Sequence, residues 1–293
     1  MKLDFIVPGF SKCGTTSLCK MLGAHPDIFI PEQKEPSYFA ENYRLGWNWY
    51  LESFTDRRQE KLLGEGSTTY SSLEFAKLVC QRIESQFPKC KFIFIARNPI
   101  ERLESSFREM HASGYRYAVV PDYHFGRALR QLPNMVADTM YAQIMRIFID
   151  HFPKEQIHVL FLEDMKLDAK RELCKCFEFL DVDPSGFEQA IMTRANASET
   201  KVCDTKLLRW IRTGKIVAQY WNHIRVEKQE IIMKQFKLRR RFDDPIEWDD
   251  YAKCVFNHAV RHDAIEFLRM FGKPDNYWDF SKTDPLALLS KAA

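Results

Sequence analysis

The segment Leu3-Asp4-Phe5-Ile6-Val7-Pro8-Gly9-Phe10-Ser11-Lys12-Cys13-Gly14-Thr15-Thr16-Ser17-Leu18 constrains the fold of this chain more than any other. Its apolar start, Leu3 to Val7, predicts a short buried strand that ends at Pro8-Gly9. From Thr15 to Gly23, Leu18, Met21 and Leu22 share one face, which predicts a helix. A strand that turns through a glycine-bracketed loop into a helix aims several backbone N–H groups at one spot. The positive end of the helix points there too, which makes an anion site. Thr15, Thr16 and Ser17 add hydroxyl donors, and Lys12 adds a full charge.

The same alternation recurs along the chain. Lys91-Phe92-Ile93-Phe94-Ile95-Ala96 is nearly all apolar, as a strand covered on both faces of a parallel sheet must be. A helical stretch follows from Pro99, with Leu103 and Phe107 four apart. Gln156 to Leu162 predicts a third buried strand, and Lys170 to Leu180 an amphipathic helix. Such spacing implies βαβ units, hence an α/β fold with a parallel sheet flanked by helices. With 293 residues, 45% of them hydrophobic, the chain can bury a sizeable core. We expect a single domain, residues 1–293, with an α/β core at 1–203. A helical C-terminal region at 204–293 is expected to pack on that core.

Several classes are disfavoured. The net charge of +3 gives no sign of a nucleic-acid partner, so any anion site must be local. The basic run Lys237-Leu238-Arg239-Arg240-Arg241 reads as a solvated helix face, with binding of an acidic acceptor as the alternative. The eight Cys are scattered without a CxxC pair, so no metal site is expected, and they read as reduced, mostly buried thiols. The start MKLDFIVPGFSK lacks the features of a secretory signal, and no apolar run is long enough for a membrane span. A cytoplasmic protein is the expectation.

The first loop approaches the Walker A pattern but departs from it, because Thr15 follows Gly14 where that pattern requires Lys. Gly9 to Leu18 instead resembles the 5′-phosphosulfate loop of sulfotransferases that use 3′-phosphoadenosine 5′-phosphosulfate (PAPS). Ile95-Ala96-Arg97-Asn98-Pro99-Ile100-Glu101-Arg102-Leu103-Glu104-Ser105-Ser106-Phe107 is similar to the 3′-phosphate motif of that family. The resemblance implies a P-loop-like parallel sheet flanked by helices, with 1–203 as the nucleotide-binding core, and PAPS as sulfuryl donor, with no metal required. It gives donor binding to Lys12, Cys13, Gly14, Thr15, Thr16 and Ser17 at one phosphate, and to Arg97 and Ser105 at the other. Asn196 to Lys201 looks like a late loop of the family, in which Lys201 would back Arg97. Asp263 to Gly272, followed by Trp278, resembles its closing helix.

On the acceptor side, Ile30 to Phe39 resembles the segment in which an acidic residue before an aromatic pair serves as general base. That role falls on Glu35, with Glu32 as the alternative, and Lys12 is the second catalytic residue. Lys34 either tunes Glu35 or meets the leaving phosphate. Leu63 to Tyr70 resembles a segment lining the acceptor cleft, which makes Glu65 and Ser67 candidate acceptor contacts. Some relatives place a catalytic Lys where this chain has Gly66. The implied acceptor is a carbohydrate, lipid, peptide or small natural product, sulfated on a hydroxyl or an amine. Aromatics at Tyr43, Trp47, Trp49 and Tyr50, and at Tyr115, Tyr117 and Tyr123, either line that cleft or pack a core. A P-loop kinase or NTPase, and a non-catalytic PAPS- or glycan-binding module, remain as alternatives at this point.

Overall fold

The computed structural model describes residues 2–32, 35–117, 119–186, 201–214 and 217–284. They fall into two compact units. The first comprises residues up to 102, 137–197 and 259–279; the second comprises 103–136, 198–258 and the stretch from 280.

The first unit is built on five parallel strands in the order β2-β3-β1-β4-β5. These are β1 (Phe5–Gly9), β2 (Ile28–Phe29), β3 (Leu62–Glu65), β4 (Lys91–Ala96) and β5 (Ile157–Phe161). Every residue of β1 is buried, as are five of the six in β4, which explains their unbroken apolar sequence. The first strand lies two residues later than its hydrophobic run suggests, because Pro8 and Gly9 continue it.

Helices α1 (Thr15–Leu22), α2 (Trp47–Glu52) and α3 (Ala76–Gln86) follow successive strands. In α3, Ala76, Val79, Cys80 and Ile83 form the buried stripe, spaced as one helix face requires. Helix α4 (Pro99–Ser113) leaves β4 and continues into the second unit, which also holds α5 (Phe125–Gln131). After α6 (Asn134–Ala137), helix α7 (Tyr141–His151) returns to the sheet. It packs against α3 and the closing helix Arg261–Met270. Asp263 of that closing helix accepts hydrogen bonds from the backbone N–H of Ala142 (2.9 Å) and Gln143 (3.0 Å) at the start of α7. Helices α8 (Leu162–Leu167) and α9 (Ala169–Phe179) complete the layer after β5.

The second unit has its own small core of Leu208, Trp221, Met233 and Leu238. Beside it, strands β6 (Val202–Asp204) and β7 (Arg239–Arg241) pair antiparallel. The basic run therefore forms a strand rather than the solvated helix face its composition suggests. Lys237 adopts a left-handed backbone (φ 48°) and ends the preceding helix Val226–Gln235 just before the arginines. Asp204 then sits opposite Arg239, and its carboxylate also meets Arg212 at 2.7 Å.

Candidate active site

Strands β1 and β4 are neighbours, and the chain leaves both at their carboxyl ends, where open α/β sheets bind ligands. The loop after β1 is tied to β4 at once, because the Phe10 N–H donates to the Ile95 carbonyl (2.9 Å). Gly9 has no room for a side chain: a Cβ there would stand 2.1 Å from Ser71 Oγ. Gly14 caps α1 at φ 102°, a conformation that L side chains rarely adopt. The cap residue Gly14 has no side chain to close the start of α1, and the positive end of that helix meets the loop there. Thr15 is buried, Ser17 half-buried and Thr16 exposed.

Lys12 is half-buried and held in the left-handed region (φ 66°), which lifts its carbonyl out of the helical path. Arg97, the first residue after β4, donates from one terminal nitrogen to that carbonyl at 3.2 Å. Its other terminal nitrogen pairs with Glu101, one turn into α4. That contact holds the Glu101 carboxyl below its ordinary range, against the opposing effect of burial. The Arg97 Nε is buried with no hydrogen-bond partner among the described residues.

Two residues that sequence reasoning passed over support the loop from behind. Arg102 is 2% exposed, donating from Nε to the Ser11 carbonyl (3.2 Å) and from a terminal nitrogen to Thr139 Oγ1 (2.6 Å). Tyr141, fully buried, donates its hydroxyl to the Arg97 carbonyl (3.1 Å) and meets the Cys13 thiol at 3.3 Å. Burial pushes that thiol up to about 11, so Cys13 is a neutral part of the scaffold.

The acceptor-side candidates form a second cluster in the same unit. Glu35 is exposed, and Thr68 donates its hydroxyl to Glu35 Oε2 at 3.0 Å. Lys34 lies outside the described residues. Glu65 and Ser67 are both fully buried, which leaves neither side chain any surface to offer an acceptor. They sit behind Glu35 instead. Glu65 Oε1 accepts hydroxyls from Tyr50 and Tyr70, each at 2.9 Å, and Oε2 accepts from Ser67 at 2.6 Å. Burial pushes the Glu65 carboxyl up to about 7, against the opposing pull of these three donated hydrogen bonds. Tyr50 stacks on Tyr38 with centroids 4.6 Å apart, and Trp47 packs beside it, so these aromatics serve packing.

In the second unit, Ser105 lies half-buried on α4, and Lys201 forms an ion pair with Glu109 at 2.5 Å. The rest of the segment 196–200 lies outside the described residues. Tyr115 and Tyr123 are covered by arginines, with Arg212 at 4.5 Å and Arg209 at 4.3 Å from the respective rings. A cavity of about 430 Å³ in this unit is lined by Phe107, Tyr123, Phe125, Phe242, Lys206 and Arg240, among others.

Comparison with known proteins decides the family. A model of the sulfotransferase domain matches residues 2–244. The chain belongs to the sulfotransferase family. Among relatives of this sulfotransferase-family chain is the bifunctional heparan sulfate N-deacetylase/N-sulfotransferase of Drosophila melanogaster. It is 26% identical over 210 residues, covering 61% of this chain and 20% of that protein. Carbohydrate sulfotransferase 15 of Rattus norvegicus is 23% identical over 299 residues, covering 78% of this chain and 53% of that protein. The chain thus spans about half or less of the length of these relatives. The crystal structure of a sulfotransferase from Alicyclobacillus acidocaldarius is similar at a TM-score of 0.54 with 25% identity. It covers 63% of this chain and 83% of that one. Among the described residues, no helix is long and apolar enough to cross a membrane.

Proposed function

We propose that the chain transfers a sulfuryl group from PAPS, in line, to an acceptor hydroxyl or amine, with Glu35 as general base. The observation that carries this reading is the junction of the two motifs, in which Arg97 is bonded to the carbonyl of Lys12 inside the first loop. A nucleotide bearing two phosphate groups suits this donor set. The start of α1 and Lys12 serve one anion, and the buried Arg97 Nε, without a hydrogen-bond partner among the described residues, supports Arg97 as a donor to the other. The roles of Ser105 and Lys201 at the 3′-phosphate, and of Thr15, Thr16 and Ser17 at the 5′-phosphate, rest on the resemblance of their motifs.

When bound, PAPS supplies an activated sulfuryl group on a phosphate leaving group. Lys12 and the first-turn N–H groups of α1 stabilise negative charge that grows on that phosphate. A single such donor is worth about 3 kcal/mol in a preorganised site. Thr68 fixes the Glu35 carboxylate, which takes the acceptor proton as the new bond to sulfur forms. Glycans are the first acceptors to test, since the relatives above are named for heparan sulfate and carbohydrate sulfation.

Calorimetry with 3′-phosphoadenosine 5′-phosphate (PAP), then radiolabelled PAPS with a panel of desulfated glycans, tests the proposal. Binding of PAP together with label transfer supports it, and absence of PAP binding sinks it. A binding module would keep PAP affinity but show no transfer that Glu35→Gln abolishes. A kinase or NTPase would instead hydrolyse ATP, a reading that Thr15 after Gly14 already disfavours.

A further inference from the structure

We propose that Glu65 is a positioning residue for sulfuryl transfer, acting through Ser67 and Tyr70, two rungs of a ladder of hydroxyls at Ser67, Thr68, Thr69 and Tyr70 that holds the segment carrying Glu35. This inference rests on the reading of Glu35 as base. Four consecutive side chains each grip residues 35–39. Ser67 Oγ accepts the Ser37 N–H at 3.0 Å, and Thr68 donates to Glu35 at 3.0 Å. Thr69 donates to Ser37 Oγ at 3.0 Å, and Tyr70 Oη accepts the Phe39 N–H at 3.1 Å.

Two of these rungs are relays whose direction Glu65 sets. A hydroxyl has one proton to give. Ser67 and Tyr70 both spend theirs on the Glu65 carboxylate, so their lone pairs face the N–H groups of Ser37 and Phe39. An ionised carboxylate takes all three donated hydroxyls with no proton of its own to place. A protonated carboxyl must donate in turn, which reverses or breaks one of the three bonds and loosens the rung it serves. Ser37 holds φ 50°, a left-handed conformation that needs such support from outside its own chain.

The groups facing Glu65 leave it as the one that changes charge within the buried cluster. Tyr50 of α2 and Tyr70 are pushed well above their ordinary value by burial, and so is the Cys90 thiol before β4. All three are neutral across the working range. Among the described residues, Glu35 at the solvent edge is a further ionisable neighbour and adds to the upward push on Glu65, after burial. Protonation of Glu65 near neutral pH therefore couples to the set of the 35–39 segment.

The experiment compares Glu65→Gln, Thr68→Val and Glu35→Gln with wild type, measuring PAP affinity by calorimetry and kcat and KM for PAPS between pH 5.5 and 9. Wild type should gain turnover as pH rises through about 7. Glu65→Gln should lose about tenfold or more in kcat at pH 8, as a misplaced catalytic group does. It should keep KM and PAP affinity within about twofold and lose the inflection near pH 7. Thr68→Val, which removes one rung and leaves Glu65 in place, should lower kcat by about tenfold without moving that inflection. Should Glu65→Gln fail to fold, Tyr70→Phe, which removes a rung that Glu65 sets, takes its place, with the same loss of kcat at pH 8 expected and full turnover overturning the inference. Full turnover in Thr68→Val, or a wild-type pH profile in Glu65→Gln, overturns the inference while leaving Glu35 as base. Full turnover in Glu35→Gln overturns the base assignment itself, and the ladder with it.

Discussion

Exchange of Glu65 for Gln should change the pH dependence of folding in a calculable way. In the unfolded chain this carboxyl loses its proton near 4.5, whereas in the folded protein burial pushes it up to about 7. Between those values the folded chain holds a proton that the unfolded chain has released, so stability falls as pH rises through that window. Above about pH 7 both states are ionised and the loss is complete. A rise of about 2.5 pH units, at ~1.36 kcal/mol each, corresponds to about 3 kcal/mol. Other buried groups titrate in the same range. Burial raises Asp263 to about 6 and lowers His111 and His158 to about 4. Subtracting the unfolding free energies of Glu65→Gln from those of wild type cancels these shared contributions. Urea titrations followed by tryptophan fluorescence, at half-unit steps from pH 4.5 to 8, give the difference curve. The reasoning requires that curve to fall by about 3 kcal/mol and then level off; a curve flat within about 0.5 kcal/mol refutes it.

Other outcomes follow from the loop. Lys12→Ala should lower kcat by about 10²–10³-fold, while Lys12→Gly should do the same yet raise the melting temperature, because glycine relieves a left-handed backbone at ~1 kcal/mol. Arg97→Ala should weaken PAP binding by about 2–3 kcal/mol in calorimetry. Glu101→Gln should strengthen it by up to about 1 kcal/mol, since a carboxylate no longer competes for Arg97, and the gain should shrink with salt. Gly9→Ala should cost about 1–3 kcal/mol in urea unfolding through its collision with Ser71, and Ser71→Gly in the same chain should restore part of that loss.

The strand–loop–helix at the amino terminus was legible because its chemistry is local. Apolar residues, two glycines and a run of hydroxyls lie within 18 positions, and the structure keeps that order in β1 and α1. Arg97 was legible for the same reason, at the end of an unbroken apolar strand. Arg102 and Tyr141 were not. A charged side chain counts as polar in any hydrophobic pattern, so the burial of Arg102 shows only once Ser11 and Thr139 stand beside it. Tyr141 reaches Cys13 across 128 positions, beyond any periodicity. Glu65 and Ser67 were placed in the right neighbourhood but on the wrong side of the surface, because spacing along a strand does not tell which carboxylate is covered by tyrosines. The arginines of β7 misled through their length: three residues carry no usable alternation, and the pairing comes from Val202–Asp204.

The supports of the anion loop also bear on the order in which the molecule can acquire its affinity. The loop is encoded within the first 14 residues, yet its carbonyls and thiol are held by side chains at 97, 102 and 141. During synthesis, a nascent chain that has exposed the whole glycine-bracketed segment still lacks every one of these props. On the reading proposed above, the nucleotide cradle is complete only once α7 has docked, so that ligand cannot template the early sheet and instead rewards only a nearly finished first unit.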